Sequence, residues 1–269
     1  MDGREIRMKR LLGDGRAVII AMDHGMFAGP IPGMEDLPAT AAKINPAVDG
    51  VLLSPGMLPR CASIFAGQRR PLAVVRLNWS TAFCPGWGYR QAHTAQCYTA
   101  EDALRNGMDV ALASLTLQTG SEQRDTENAR ILSKLAAEAH RLGIAMICEY
   151  VPAAHQQMTP QQLHENVRSG SRIAVELGAD AIKTFYTPEF PALTASCPVP
   201  VLALGGQKLP KPADALGLAA AAVAAGAAGV VFGRNALQVA DPYAFQAALC
   251  EVVKNRAQID QTVARFGLA

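Results

Sequence analysis

Five groups of residues carry side chains that do chemistry or leave the backbone open to a ligand, and each closes a short apolar run: Asp23-His24-Gly25, Glu149-Tyr150, Lys183, Gly205-Gly206 and Gly233-Arg234. Lys183 says the most. It follows Ala181-Ile182 in a run that begins after Gly178, and strand alternation puts Ala181 and Lys183 on one face with Ile182 and Thr184 on the other. In a parallel sheet or barrel both faces are covered, which desolvates the lysine nitrogen. Desolvation disfavours the charged form, and a free amine is what a Schiff-base enzyme uses to attack a carbonyl. The same position also suits a lysine that ends a strand and extends its head group into water.

Glu149 and Tyr150 compete for an acid/base role, and alternation sends them to opposite faces. A phenol can donate and accept a proton at a developing carbanion, although its reference pKa is about 10. A carboxyl group beside a buried lysine can do the same or form an ion pair. Asp23 is placed to hold or move a proton near a substrate hydroxyl, or else to fix a loop. His24 reads as a substrate contact or as a structural histidine. Arg76, at the end of another apolar run, reads chiefly as a partner for a neighbouring carboxylate. The five histidines fall on scattered elements, so no metal centre is expected.

The elements that must position these residues follow from the apolar pattern. Buried strands are expected at residues 17–23, 51–54, 72–77, 109–115, 144–150, 199–204 and 229–232, with one more closing at Lys183. Helices are expected from near Met34, over 57–67, 122–142, 159–177 and 242–254, with a short helical tail beyond. Thr159 before Pro160 reads as an N-cap and first turn, and Asp14-Gly15 as the turn into the first strand. Residues 78–98, rich in Trp, Tyr, Gly and Ser, read as a long loop of the kind that serves as a lid or binding segment. Eight strands alternating with helices and no break in composition indicate a single α/β domain over 1–269, a (β/α)8 TIM barrel, with a doubly wound sheet as the other arrangement.

That fold places active sites at the C-terminal ends of the strands, where all five groups lie. Barrels often bind phosphate between the loops after the seventh and eighth strands, on backbone N–H groups at a short helix N-terminus. Gly205-Gly206 and Gly233 would let the backbone approach an anion, and Arg234 would add charge-assisted contacts. The glycines also suit plain tight turns.

The 269-residue chain is long enough for a large core, and its net charge of +2 without a basic stripe gives no sign of nucleic-acid binding. Six widely spaced cysteines with no Cys-x-x-Cys pair suit reduced thiols in a cytoplasmic protein. No apolar stretch of about 18 residues suggests a membrane span. The alanine-rich run 213–232, interrupted by three glycines, suits a helix followed by a strand.

Met22-Asp-His-Gly25 with Gly29-Pro30, then Ile182-Lys-Thr184, Gly205-Gly206 and Gly233-Arg-Asn235, in that order, resemble the class I aldolases of the DeoC/FbaB group. That group includes archaeal-type fructose-bisphosphate aldolase, 2-amino-3,7-dideoxy-D-threo-hept-6-ulosonate synthase and the LsrF thiolase. Cys197-Pro-Val-Pro-Val with Gly205-Gly-Gln-Lys-Leu-Pro210 looks most like the LsrF branch. The resemblance implies a (β/α)8 barrel with Lys183 as the Schiff-base lysine, Asp23 as an acid/base group, and Gly205, Gly206, Gly233 and Arg234 in phosphate-binding loops. His24 and Gly25 would join them at the substrate. It further implies a carbon–carbon lyase acting on a phosphorylated keto compound without a cofactor, and a homo-oligomer, pentamer or decamer. Several members carry Tyr-Pro-Arg-Gly after the fifth strand; this chain has Glu149-Tyr-Val-Pro-Ala153, without the arginine, which speaks against a bisphosphate substrate. Acyl transfer to coenzyme A, as in the LsrF thiolase, and a non-catalytic phosphosugar-binding barrel are the other activities this sequence suits.

Overall fold

In the computed structural model, which describes residues 2–13, 15–67, 70–89 and 91–268, parallel strands close into a barrel. In chain order these are β1 (Ala17–Ala21), β2 (Gly50–Leu53), β3 (Leu72–Arg76), β4 (Val110–Leu115), β5 (Met146–Tyr150), β6 (Ala181–Phe185), β7 (Val201–Leu204) and β8 (Gly229–Phe232). Each pairs with its sequence neighbours, and β1 pairs with β8 through Ala17↔Gly229 to close the ring. This is the (β/α)8 barrel expected from the sequence. The expected turn at Asp14-Gly15 involves Asp14, which lies outside the described residues.

Alternation divides each strand between two cores. Inward-facing Ile19, Leu52, Val74, Leu112, Ile147 and Leu202 fill the barrel. Outward-facing side chains of the same strands pack under the surrounding helices. The helix Gly3–Leu12, for which the sequence reading had no expectation, sends Leu11 into the lower end of the barrel, where a Cβ on Gly50 would stand 3.2 Å from it. Asp2 caps this helix by accepting from the Arg4 and Glu5 amides.

The helix Pro160–Glu176 starts as its sequence predicts. Thr159 and Gln162 form a reciprocal capping box, which satisfies two of the amides that a helix start leaves unpaired. Its Gly170 lies against the ring of Tyr150, and a Cβ there would overlap that ring. The alanine-rich stretch is the helix Pro212–Ala224 followed by β8. No described helix is long and apolar enough to cross a membrane.

Three expectations change. The helix expected from Met34 is the single turn Leu37–Ala41, held off by the N-cap Asp36. The segment after β2 forms a 3-10 helix, Pro59–Phe65, kinked at Cys61, in place of an α-helix. Residues 78–98 do not form a plain loop. Asn78–Ser80 and Thr94–Gln96 pair antiparallel through Trp79↔Ala95, with 3-10 turns Thr81–Phe83 and Pro85–Trp87 between them. The Trp79 indole N–H donates to the Met26 carbonyl at 2.7 Å, which ties this hairpin to the segment after β1.

Candidate active site

Counting inward positions up each strand leads to the same layer of the barrel. On β3 they are Leu72, Val74 and Arg76; on β5, Ile147 and Glu149; on β6, Ala181 and Lys183; and Asp23 continues the series of Ile19 and Ala21 just past β1. The sequence thus buries four charged groups above an apolar plug, and none is more than 6% exposed. They pair in a chain. The Arg76 Nε donates to Asp23 Oδ2 at 2.5 Å, an Arg76 terminal nitrogen donates to Glu149 Oε2, and the Lys183 nitrogen lies 2.5 Å from Glu149 Oε1. The register pairs Glu149 directly with Lys183.

Two carboxylates and two cations make this layer electrically neutral. Burial alone would raise the Asp23 carboxyl, but Arg76 and then Lys183 outweigh it and hold it at about 2. Burial pushes Glu149 the same way, and again Arg76 and Lys183 reverse it, so that its carboxyl sits below the usual range. Arg76 is disfavoured by burial but stabilised by both carboxylates, which hold it firmly charged. Losing one member of such a chain leaves another charged and buried.

β6 continues two residues beyond Lys183, to Phe185, so the lysine does not end its strand. It is 5% exposed, buried as the alternation requires, and its nitrogen faces a carboxylate and not bulk water. Tyr150 takes the opposite face. Its hydroxyl donates to Asn166 Oδ1 at 2.6 Å, its ring lies on Gly170, and burial raises its phenol further above the ordinary value. Of the two residues the sequence left open, Glu149 faces the cavity beside Lys183 and Tyr150 faces the helices, because β5 has only one inward residue at this level. Tyr150→Phe should lower turnover by no more than about threefold while costing about 1–3 kcal/mol of stability, because Asn166 loses a buried partner. Steady-state rates and a denaturant melt check both halves, and a hundredfold loss of turnover would return Tyr150 to the site.

Above this layer opens a cavity of about 560 Å³ with Glu149 and Lys183 in its wall. Asp23 and Arg76 are not wall residues but stand directly behind it, bonded to one another and, through Arg76, to Glu149. His24 is a wall residue, with Nδ1 3.9 Å from Asp23 Oδ1 and without a hydrogen-bond partner. Burial pushes its imidazole below the ordinary value, against the pull of Asp23. Its ring lies on Gly233, where it leaves no room for a Cβ. Gly25, expected at the substrate, opens the short helix Gly25–Ala28 and is not part of the wall.

Gly205, Gly206, Gly233 and Arg234 do meet at the cavity. Gly206 has φ +64, a conformation that favours glycine, and a Cβ on Gly205 would press on Phe232 at 2.9 Å. Asn235 joins the two loops. Its amide nitrogen donates to the Gly205 carbonyl at 2.8 Å and to the Gln207 carbonyl at 2.9 Å, while its oxygen accepts from the Leu209 amide at 2.8 Å. Arg234 donates to the Gly206 carbonyl at 2.8 Å and keeps a buried Nε with no partner.

Sequence reasoning missed the aromatic part of the wall. Phe27 and Phe83 sit on two single helical turns far apart in sequence, and nothing local marks them as neighbours. Arg76 was expected to pair with a carboxylate, and it pairs with two.

The profile of the DeoC/LacD family of aldolases matches residues 17–239. A 2-amino-3,7-dideoxy-D-threo-hept-6-ulosonate synthase of Halobacterium salinarum is 33% identical over 99% of this chain and 97% of its own. A 3-hydroxy-5-phosphonooxypentane-2,4-dione thiolase of Klebsiella pneumoniae is 31% identical over 93% of this chain and 81% of its own. Among solved structures, an archaeal fructose-1,6-bisphosphate aldolase with its catalytic lysine bound to the carbinolamine intermediate superposes with TM-score 0.77 and 25% identity, over 92% of this chain and 98% of its own.

Proposed function

The chain belongs to the DeoC/LacD family of aldolases, and from that premise we propose that it is a class I aldolase, a carbon–carbon lyase whose Schiff base forms on Lys183 with a phosphorylated ketone. The observation that carries this reading is the placement of Lys183, a buried amine in the wall of the cavity with a carboxylate 2.5 Å from its nitrogen. Lys183 first passes a proton to Glu149 and attacks the ketone carbon as the free amine, so a C–N bond forms as the carbonyl π bond opens. Glu149 hands that proton to the oxygen, then carries a second one from the nitrogen to it, and the oxygen leaves as water. The resulting iminium withdraws electrons from the adjacent C–C bond, so that bond can break or form. Glu149, already in contact with the nitrogen, is the proton carrier. Asp23, behind the wall and bonded to Arg76 Nε, acts by anchoring Arg76 and through it Glu149.

The phosphate of the ketone sits on the loops after β7 and β8. Gly206 and Gly233 expose backbone there, and the unpartnered Arg234 Nε supplies a charged donor. Holding the anion at that end fixes the carbonyl over Lys183, an orientation effect. Borohydride reduction in the presence of dihydroxyacetone phosphate, read by peptide mass, should leave an adduct on Lys183. Its absence would sink the Schiff-base reading.

A further inference from the structure

The cavity wall differs in chemistry around its rim. On the β7–β8 side the wall carries Gly205, Gly206, Gly233 and Arg234, with Gln207, Gln238, Leu204 and Val231 beside them. Around the rest of the rim, the segments after β1, β3 and β5 and the end of β6 contribute Phe27, Ile31, Phe83, Val151 and Phe185. These side chains form a built surface. The Phe27 and Phe83 rings lie 4.9 Å apart, centre to centre, and the His155 imidazole lies 4.9 Å from the Phe185 ring. Phe185 is two residues beyond Lys183 on the same face of β6, so its ring stands about 7 Å further toward the mouth.

Arg76 is the cation of that side, and it is withheld from the cavity. Its Nε and one terminal nitrogen donate to Asp23 and Glu149, its other terminal nitrogen is buried without a partner, and its guanidinium carbon lies 5.1 Å from the Phe27 ring centre and 5.2 Å from that of Phe83. The two phenyl rings cover the positive charge and turn the wall apolar. A phosphate placed there would lose its water against phenyl rings, with the Asp23 and Glu149 carboxylates behind them. An apolar group would instead exchange water for aromatic contacts.

We propose that the carbonyl partner of this aldolase, the aldehyde that the Lys183-bound donor adds to or releases, is uncharged and carries an apolar group of about phenyl size, seated between the Phe27–Phe83 pair and the His155–Phe185 pair. The proposal rests on the Schiff-base reading and names the second substrate of that same site. In the forming direction the donor carbon next to the Lys183 iminium carbon, as the enamine, forms a C–C bond to the aldehyde carbon. The aldehyde oxygen takes one proton, and water then releases the product ketone and the lysine amine. Nothing is oxidised or reduced, and the cavity volume lies in the range of about 300–1,000 Å³ usual for small-ligand sites.

The test is C–C bond formation with dihydroxyacetone phosphate as donor and, separately, phenylacetaldehyde and glyceraldehyde 3-phosphate as acceptors. The kcat/KM for phenylacetaldehyde should exceed that for the phosphorylated aldehyde by about tenfold or more. Equal values, or a preference for the phosphorylated acceptor, overturn the proposal. Borohydride trapping on the same preparation separates the two readings: no Lys183 adduct defeats the Schiff-base mechanism itself, whereas an adduct with the phosphorylated acceptor preferred defeats only the apolar subsite. Phe83→Ala removes wall and uncovers Arg76, and should cut the preference about tenfold through the KM for phenylacetaldehyde. Phe83→Leu should restore most of it, and an unchanged preference in both variants overturns the role of this wall.

Discussion

Lys183→Met should eliminate C–C lyase turnover, with kcat falling by about 10,000-fold or more, the scale seen when a covalent nucleophile is removed. Methionine matches the length and apolar stem of lysine but cannot form the C–N bond that makes the electron sink. The same change removes one cation from a neutral buried quartet and leaves Glu149 with Arg76 alone. Stability should fall by about 1–3 kcal/mol, less than for a carboxylate with no partner left. Lys183→Arg separates the two effects. It restores a charge opposite Glu149 and should recover part of the stability, yet it supplies no nucleophile and should remain inactive. Initial rates and denaturant melts on both variants make the comparison. Retention of more than about 1% of kcat in Lys183→Met would remove this lysine from any covalent role.

Legibility of the site followed the range of the interactions. Lys183, Asp23 and the two glycine loops were visible because a strand end in a barrel is a local pattern with a fixed functional direction. The choice between Glu149 and Tyr150 was not, since alternation says only that they face opposite ways. The pairing Glu149↔Lys183 across two strands is what puts Glu149 beside the lysine. Gly170 carries the complementary signal, being the gap in the helix that receives the Tyr150 ring. In sequence it looks like any helix glycine. The hairpin in 78–98 was hidden for a different reason. Its strands have three residues each, too short for a period, and their pairing depends on the intervening turns. The aromatic cover on Arg76 joins residues 27, 76 and 83 through the folded barrel alone.

Arg76→Met is the variant that tests whether the buried charges act as one unit. It leaves Asp23 and Glu149 buried with Lys183 as the remaining cation of the chain, and should cost about 3–5 kcal/mol, a fall in Tm on the order of 10 °C for a chain of this size. The pH dependence identifies the cause. In the parent, Asp23 has a folded pKa of about 2 against an ordinary 3.8. It therefore contributes about 2 kcal/mol above the ordinary carboxylate range, and this is lost as pH falls through about 2. Without Arg76 the largest influence on Asp23 is burial, which raises its folded pKa above the unfolded one and reverses the sign. The unfolded chain then releases its proton first, so the variant loses stability as pH rises above about 4. The gap in Tm between parent and variant should accordingly widen from about pH 4 to about pH 7. Turnover should fall by about 100-fold, because Glu149 loses the bond that orients it toward Lys183. Arg76→Lys keeps the charge but cannot bridge both carboxylates, so it should recover stability more than rate. A Tm gap that stays constant over that pH range would mean that packing around the Arg76 stem, and not its charge, accounts for the loss.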